Sequence, residues 1–193
     1  KDLPSDGEKR ALYEKGREMF AQAGYLEIGM DHFALPGDEL YKAVQAGTVH
    51  RNFMGYTPAA TKVLIGLGVS SISDSWSAFA QNVKVVEEYN KLIDENKLPV
   101  FRGHLLTQED LLIRKLILDV MCKMETSWDS SYNDHQELEN VLSEMVSDHL
   151  VGISPNGLKV TEAGRPFVRN VCMALDKKLR QKEPDTQIFS SVI

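Results

Sequence analysis

The chain has 193 residues, of which 42% are hydrophobic and 26% charged, with a formal net charge of −6. That is enough chain for one large domain or two small ones with a buried core, in a composition ordinary for a soluble globular protein. The acidic balance argues against a general nucleic-acid or anionic-membrane binder, and no apolar run approaches the roughly 20 residues needed to span a bilayer.

Residues 3–23 read as a helix, capped by Ser5 or Asp6, with Leu12, Met19 and Phe20 on one face and Gly24 as the stop. The opening KDLPSDGEKR lacks an apolar h-region, so no secretory signal is expected. Residues 25–30 are expected to form a short parallel strand, because helix, glycine, apolar run and polar cluster is the order of one α/β unit. A short helix follows at 38–46. Within the run VLIGLGVSSI, residues 67–72 suit a buried parallel strand, with Gly66 and Gly68 permitting close backbone approach. Residues 82–96 form an amphipathic helix.

The α/β alternation stops at Leu98-Pro99, which sets an expected boundary between domains 1–97 and 98–193. Thr107 and Asp110 then open a strong helix with capping-box spacing. Another helix is predicted over 133–149, and a hairpin over 150–160 in which Asn156-Gly157 supplies positive φ angles. A last helix covers 168–179. Two helices, a hairpin and a helix describe a winged-helix-like module. Its second helix carries Asp134, Glu137, Glu139, Glu144 and Asp148 without Lys or Arg, so DNA reading is not expected. The cations of the last segment, Arg165 to Lys182, read as a solvated face. Cys122 and Cys172 lie far apart in helical patterns, outside any C-x-x-C pair. They are expected to be reduced, buried and free of metal, in a cytoplasmic protein.

Two clusters stand out as a site. Asp31 and His32 follow an apolar strand directly, where ligands sit in parallel sheets; either they act there, or Asp31 caps the loop and His32 makes a buried hydrogen bond. His50, Arg51, Asn52, Phe53 and Tyr56 combine cations suited to carboxylates or phosphates with aromatic surface; the alternative is a solvated loop covering the core. Gly66-Leu67-Gly68 lacks the third glycine and the following helix of a dinucleotide fingerprint.

Taken together, AGYLEIGMDHFALP (23–36), HRNFMGYT (50–57), GLGVSSIS (66–73), RGHLLTQEDLLIRKLILDVMC (102–122) and GLKVTEAGRPFVRNVCMALDKKL (157–179) resemble the carboxyl-terminal part of the oxygen-independent coproporphyrinogen III oxidase family, radical S-adenosylmethionine enzymes. The resemblance implies a fold of final β/α units of an incomplete barrel followed by a mostly helical, winged-helix-like domain. It implies that an N-terminal portion with a C-x-x-x-C-x-x-C motif and a 4Fe-4S cluster is missing, so the fragment alone holds no metal, has no catalytic residue of its own and is inactive. The family reaction is oxidative decarboxylation of two propionates of coproporphyrinogen III to vinyl groups, giving protoporphyrinogen IX for haem. Phe53 and Ile72 match positions that contact S-adenosylmethionine. Met54 stands where the family often has Gln, and Pro58 replaces a threonine. Asp31, His32, His50, Arg51 and Arg102 are the candidate substrate residues. The electron donor is unidentified, and a cut barrel implies self-association at the edge formed by 25–30. Two other readings stay open, a haem chaperone-like relative and a non-catalytic winged-helix binding module.

Overall fold

A computed structural model describes residues 3–129 and 132–181, in two compact units. One unit comprises residues 1–58 together with 115–193, the other Ala59–Arg114. Lys182 of the basic segment lies outside the described residues.

The first unit opens with α1 (Asp6–Gln22), held by a reciprocal capping box between Ser5 and Glu8. It ends in a Schellman turn at Gly24, φ 85°, with Tyr25 N–H donating to the Phe20 carbonyl and Gly24 N–H to that of Ala21. No residue of α1 is buried, and Leu12, on its expected apolar face, is 62% exposed. Strands β1 (Leu26–Gly29) and β2 (His32–Ala34) follow, paired antiparallel through Leu26 and Ala34. The parallel strand expected at 25–30 is thereby corrected. Only two residues, Met30 and Asp31, separate the strands, and a parallel return needs a crossover of about a dozen. Met30 takes φ 51°, and its carbonyl accepts from the Tyr13 hydroxyl at 3.0 Å.

After α2 (Glu39–Gln45), capped by Asp38, come β3 (His50–Asn52) and β4 (Gly55–Thr57), a second antiparallel hairpin. Ile28, Ala34, Ala43, Val49 and Tyr56 form a small core here, with Leu40, Tyr41, Val44 and Cys122 packed against it.

In the second unit, β5 (Ile72–Asp74), β6 (Ala78–Asn82) and, after α3 (Val86–Asp94), β7 (Val100–Leu105) form one antiparallel sheet in chain order. Residues 67–71 are not the expected parallel strand. Gly68 (φ 93°) and Ser70 (φ 61°) both leave the extended region, and pairing starts only at Ile72. No strand pair among the described residues is parallel. Nor does packing divide the chain at 97/98: Val83 N–H donates to the Pro99 carbonyl and β7 pairs with β6, tying residues 99–105 to those before them.

Helix α4 (Gln108–Lys123) starts at the expected capping box, Thr107 and Asp110 each bonding the other's backbone N–H. From Lys115 onward the chain rejoins the first unit. There β8 (Glu125–Ser127), α5 (His135–Val141), α6 (Ser143–Ser147), β9 (Val151–Ser154), β10 (Gly157–Val160), α7 (Val168–Leu175) and α8 (Lys177–Gln181) complete the described chain. The two predicted helices are each broken, at Leu142 and at Asp176, whose carboxylate caps α8 at Leu179 N–H. Among the described residues, Leu116, Val120, Leu138, Leu142, Val168, Val171 and Leu175 are the largest fully buried side chains. The hairpin is present, but its turn is Pro155-Asn156 and neither Asn156 nor Gly157 has positive φ. Gly157 is needed for a different reason, since a Cβ there would lie 2.4 Å from the Thr126 carbonyl on β8. No described helix is long and apolar enough to cross a membrane.

Candidate functional site

The two hairpins of the first unit are fitted together by glycines. A Cβ on Gly29 would lie 2.5 Å from the Tyr56 hydroxyl, and one on Gly55, φ 127°, would lie 2.6 Å from His32 Nε2. Without those Cβ atoms His32 stacks edge-to-face on Tyr56, centroids 5.1 Å apart. Tyr56 is fixed from below by donating to the Met121 carbonyl at 2.9 Å. Burial pushes its phenol up to about 12, against the opposing charge of Arg51, so it acts as a neutral donor.

Asp31 and His32 are brought together, Oδ1 to Nδ1 at 2.9 Å. Asp31 is 82% exposed and makes that bond rather than a loop cap, while His32 packs on Tyr56. Arg51 pairs with Tyr56 across β3 and β4 and lays its guanidinium over the ring, 4.7 Å from the centroid. Its Nη1 is buried with no hydrogen-bond partner among the described residues. The cation is held by a π face instead of an acid, which orients it without neutralising it. His50 lies opposite Thr57 in the same hairpin. Phe53 and Met54 make its turn, where Asn52 Oδ1 accepts from Met54 N–H at 2.8 Å, and both side chains project outward, 53% and 86% exposed.

Cys122 and Cys172 are both free thiols. Burial pushes them up to about 11 and about 12, with Arg51 opposing, so both stay protonated at neutral pH. Cys122 is only half-buried, less than expected. No group of three metal-ligating side chains is assembled among the described residues. An iron–sulfur cluster therefore does not fit the described residues. Phe53 is an exposed apolar side chain at its turn tip, and Ile72, in the second unit, is a half-buried one.

Ile72 and Arg102 belong to the second unit, where Ile72 lies opposite Gln81, and Gln81 opposite Arg102. The loop before Ile72 is built by residues the sequence reading missed. Asn82 Nδ2 donates to the Gly66 and Gly68 carbonyls at 3.1 and 2.9 Å, and the Tyr89 hydroxyl accepts from Gly68 N–H at 3.1 Å. A Cβ on Gly66 would lie 2.8 Å from the Ile72 carbonyl, so this glycine serves close approach of backbone to backbone. The adjacent amides Gln81-Asn82 were the available signal; helical periodicity after them drew the helix start too early. In the same sheet, Asp74 is clasped by Arg114 through Oδ1–Nη1 at 2.9 Å and Oδ2–Nη2 at 2.5 Å, and the guanidinium lies over Trp76 and Phe79. Asp74 is therefore structural.

No family model matches the chain. In sequence it is 39% identical over 200 residues to the oxygen-independent coproporphyrinogen III oxidase of Escherichia coli strain K12, across all of this chain and 44% of that protein. The enzyme of the same name from Pseudomonas aeruginosa is 36% identical over 200 residues, and that of Synechocystis 34% over 203, each matched over 43% of its length. The chain thus spans less than half of these relatives. Among solved structures, coproporphyrinogen III oxidase from Escherichia coli, described as a radical SAM enzyme, superposes with a TM-score of 0.84 at 37% identity, over 92% of this chain and 43% of that one. In sequence and in fold, the chain therefore matches the carboxyl-terminal part of the oxygen-independent coproporphyrinogen III oxidases.

Proposed function

We propose that this chain is the carboxyl-terminal part of a haem-biosynthesis enzyme that oxidatively decarboxylates two propionates of coproporphyrinogen III to vinyl groups. The observation that carries the reading is the correspondence along the whole chain, at 39% identity and a TM-score of 0.84. The S-adenosylmethionine and 4Fe-4S cluster of the whole protein would supply hydrogen-atom abstraction from the propionate. The residues of this chain bind and orient. Phe53 and Ile72 each offer apolar surface to S-adenosylmethionine. Met54 makes no polar contact there, since its thioether is at most a weak acceptor. Arg51, His50 and Arg102 meet propionate carboxylates, and Asp31 orients His32 at the same hairpins. The carboxyl-terminal residues, β8 to α7, serve as a winged-helix-like packing element and take no nucleic acid. Two protonated free thiols suit a cytoplasmic setting.

The experiment is an affinity measurement for S-adenosylmethionine on the whole cluster-loaded protein, comparing Phe53→Ala and Ile72→Ala with Leu98→Ala at an exposed apolar control position. Losing one buried apolar contact weakens binding by about tenfold to a hundredfold, and the control should match the parent. Equal affinity in all three variants would remove these residues from the site.

A further inference from the structure

Ile72, Gln81 and Arg102 stand in one cross-strand row, and residues opposite one another in neighbouring strands share a face of the sheet. Gln81 uses both ends of its amide. Its Nε2 donates to the Ser70 carbonyl at 3.1 Å and its Oε1 accepts from Arg102 Nε at 2.9 Å. Ser70 is itself fixed, with φ 61° and its N–H donating to the Val83 carbonyl at 2.8 Å. The arginine is therefore tied, through one neutral amide, to the clamped loop that leads into Ile72. Its Nε edge is occupied, and no ion pair joins it to an acid among the described residues. The Nη1/Nη2 end of the fork remains for a second partner, and that end matches a carboxylate with two parallel hydrogen bonds. A glutamate at 81 would orient the guanidinium equally well but would also neutralise it.

We propose that Gln81 is a positioning residue that presents the Arg102 guanidinium to a ligand carboxylate on the sheet face carrying Ile72. The ligand chemistry rests on the function proposed above, in which a tetrapyrrole propionate and the amino-acid carboxylate of S-adenosylmethionine both carry this group.

The test uses the whole cluster-loaded protein under anaerobic conditions with Arg102→Gln, Gln81→Leu, Gln81→Glu and the Gln81→Leu/Arg102→Gln double variant. Equilibrium binding of S-adenosylmethionine and of coproporphyrin III, a stable tetracarboxylate, is read beside KM and kcat, with thermal melts of each variant. Arg102→Gln should weaken the ligand that supplies the carboxylate by about tenfold to a hundredfold, the range for a charge-assisted bond. Gln81→Leu should weaken the same ligand by about threefold to tenfold, raising KM more than it lowers kcat. Gln81→Glu should weaken it at least as much, although it keeps the acceptor and so guards against a folding defect. The double variant should be no weaker than Arg102→Gln alone. A change confined to coproporphyrin assigns the propionate; one confined to S-adenosylmethionine assigns its carboxylate. Normal melts with unchanged affinity for both ligands in the Gln81 variants would overturn the inference, as would effects that multiply in the double variant. Ligand binding that depends on Gln81, in a protein that leaves coproporphyrinogen III unchanged, would keep the inference and sink the proposed reaction.

Discussion

Arg114→Ala is expected to lower folding stability by about 3–5 kcal/mol, the cost of leaving one member of a buried ion pair unpaired. The pair is almost closed to solvent, with side-chain exposures of 12% for Arg114 and 11% for Asp74. Removing the guanidinium strands a carboxylate at the end of β5, where its remaining partner is Trp76 N–H at 2.8 Å. It also removes the bond to the Trp76 carbonyl at 3.1 Å and the cation from the Trp76 and Phe79 rings. Chemical denaturation followed by tryptophan fluorescence reads this directly, because the ring of Trp76 lies 4.3 Å from the guanidinium. Replacing both partners, as in Asp74→Leu/Arg114→Met, should recover most of the loss, since no charge is then left buried. A single variant within about 0.5 kcal/mol of the parent, the range of ordinary surface changes, would show that the clasp is not structural.

Gly55→Ala should be nearly as damaging, at about 2–5 kcal/mol from backbone strain and overpacking together. The φ of 127° is one that side-chain-bearing residues rarely adopt, and the new methyl would meet the His32 ring at 2.6 Å. The two contributions separate. Adding His32→Ala should recover the steric share and leave the strain. Gly152→Ala is the matched control, because its nearest neighbour would be the Lys159 carbonyl at 4.0 Å. Denaturation midpoints of the four proteins check the scheme, and a Gly55→Ala midpoint equal to that of Gly152→Ala would contradict the close fit between the hairpins.

Local signals survived from sequence to structure. Ser5 and the Thr107–Asp110 pair cap the helices they were expected to cap. The two clusters read as a site do meet, through His32, Gly55 and Tyr56. Strand direction was not legible, because an apolar run does not encode the direction of its partner, and the turn at Met30 lacks the glycine that marks a tight hairpin. Strands of three residues, such as β2 to β5, are too short to display alternation. The glycines of GLGVSS suggested strand where they are bent instead, since backbone freedom and close approach leave the same mark in a sequence. Asn82 was hidden by the reverse error, a helical period extended back over a strand end. The break at Leu142 also left no mark, as apolar spacing continues across it.

The most direct measurement is anaerobic turnover by the whole cluster-loaded protein, supplied with S-adenosylmethionine, a reductant and coproporphyrinogen III carboxyl-labelled on its propionates. The predicted result is two labelled carbon dioxides released per protoporphyrinogen IX formed, with S-adenosylmethionine consumed in step. Tight retention of haem or porphyrin with no labelled carbon dioxide would contradict the account.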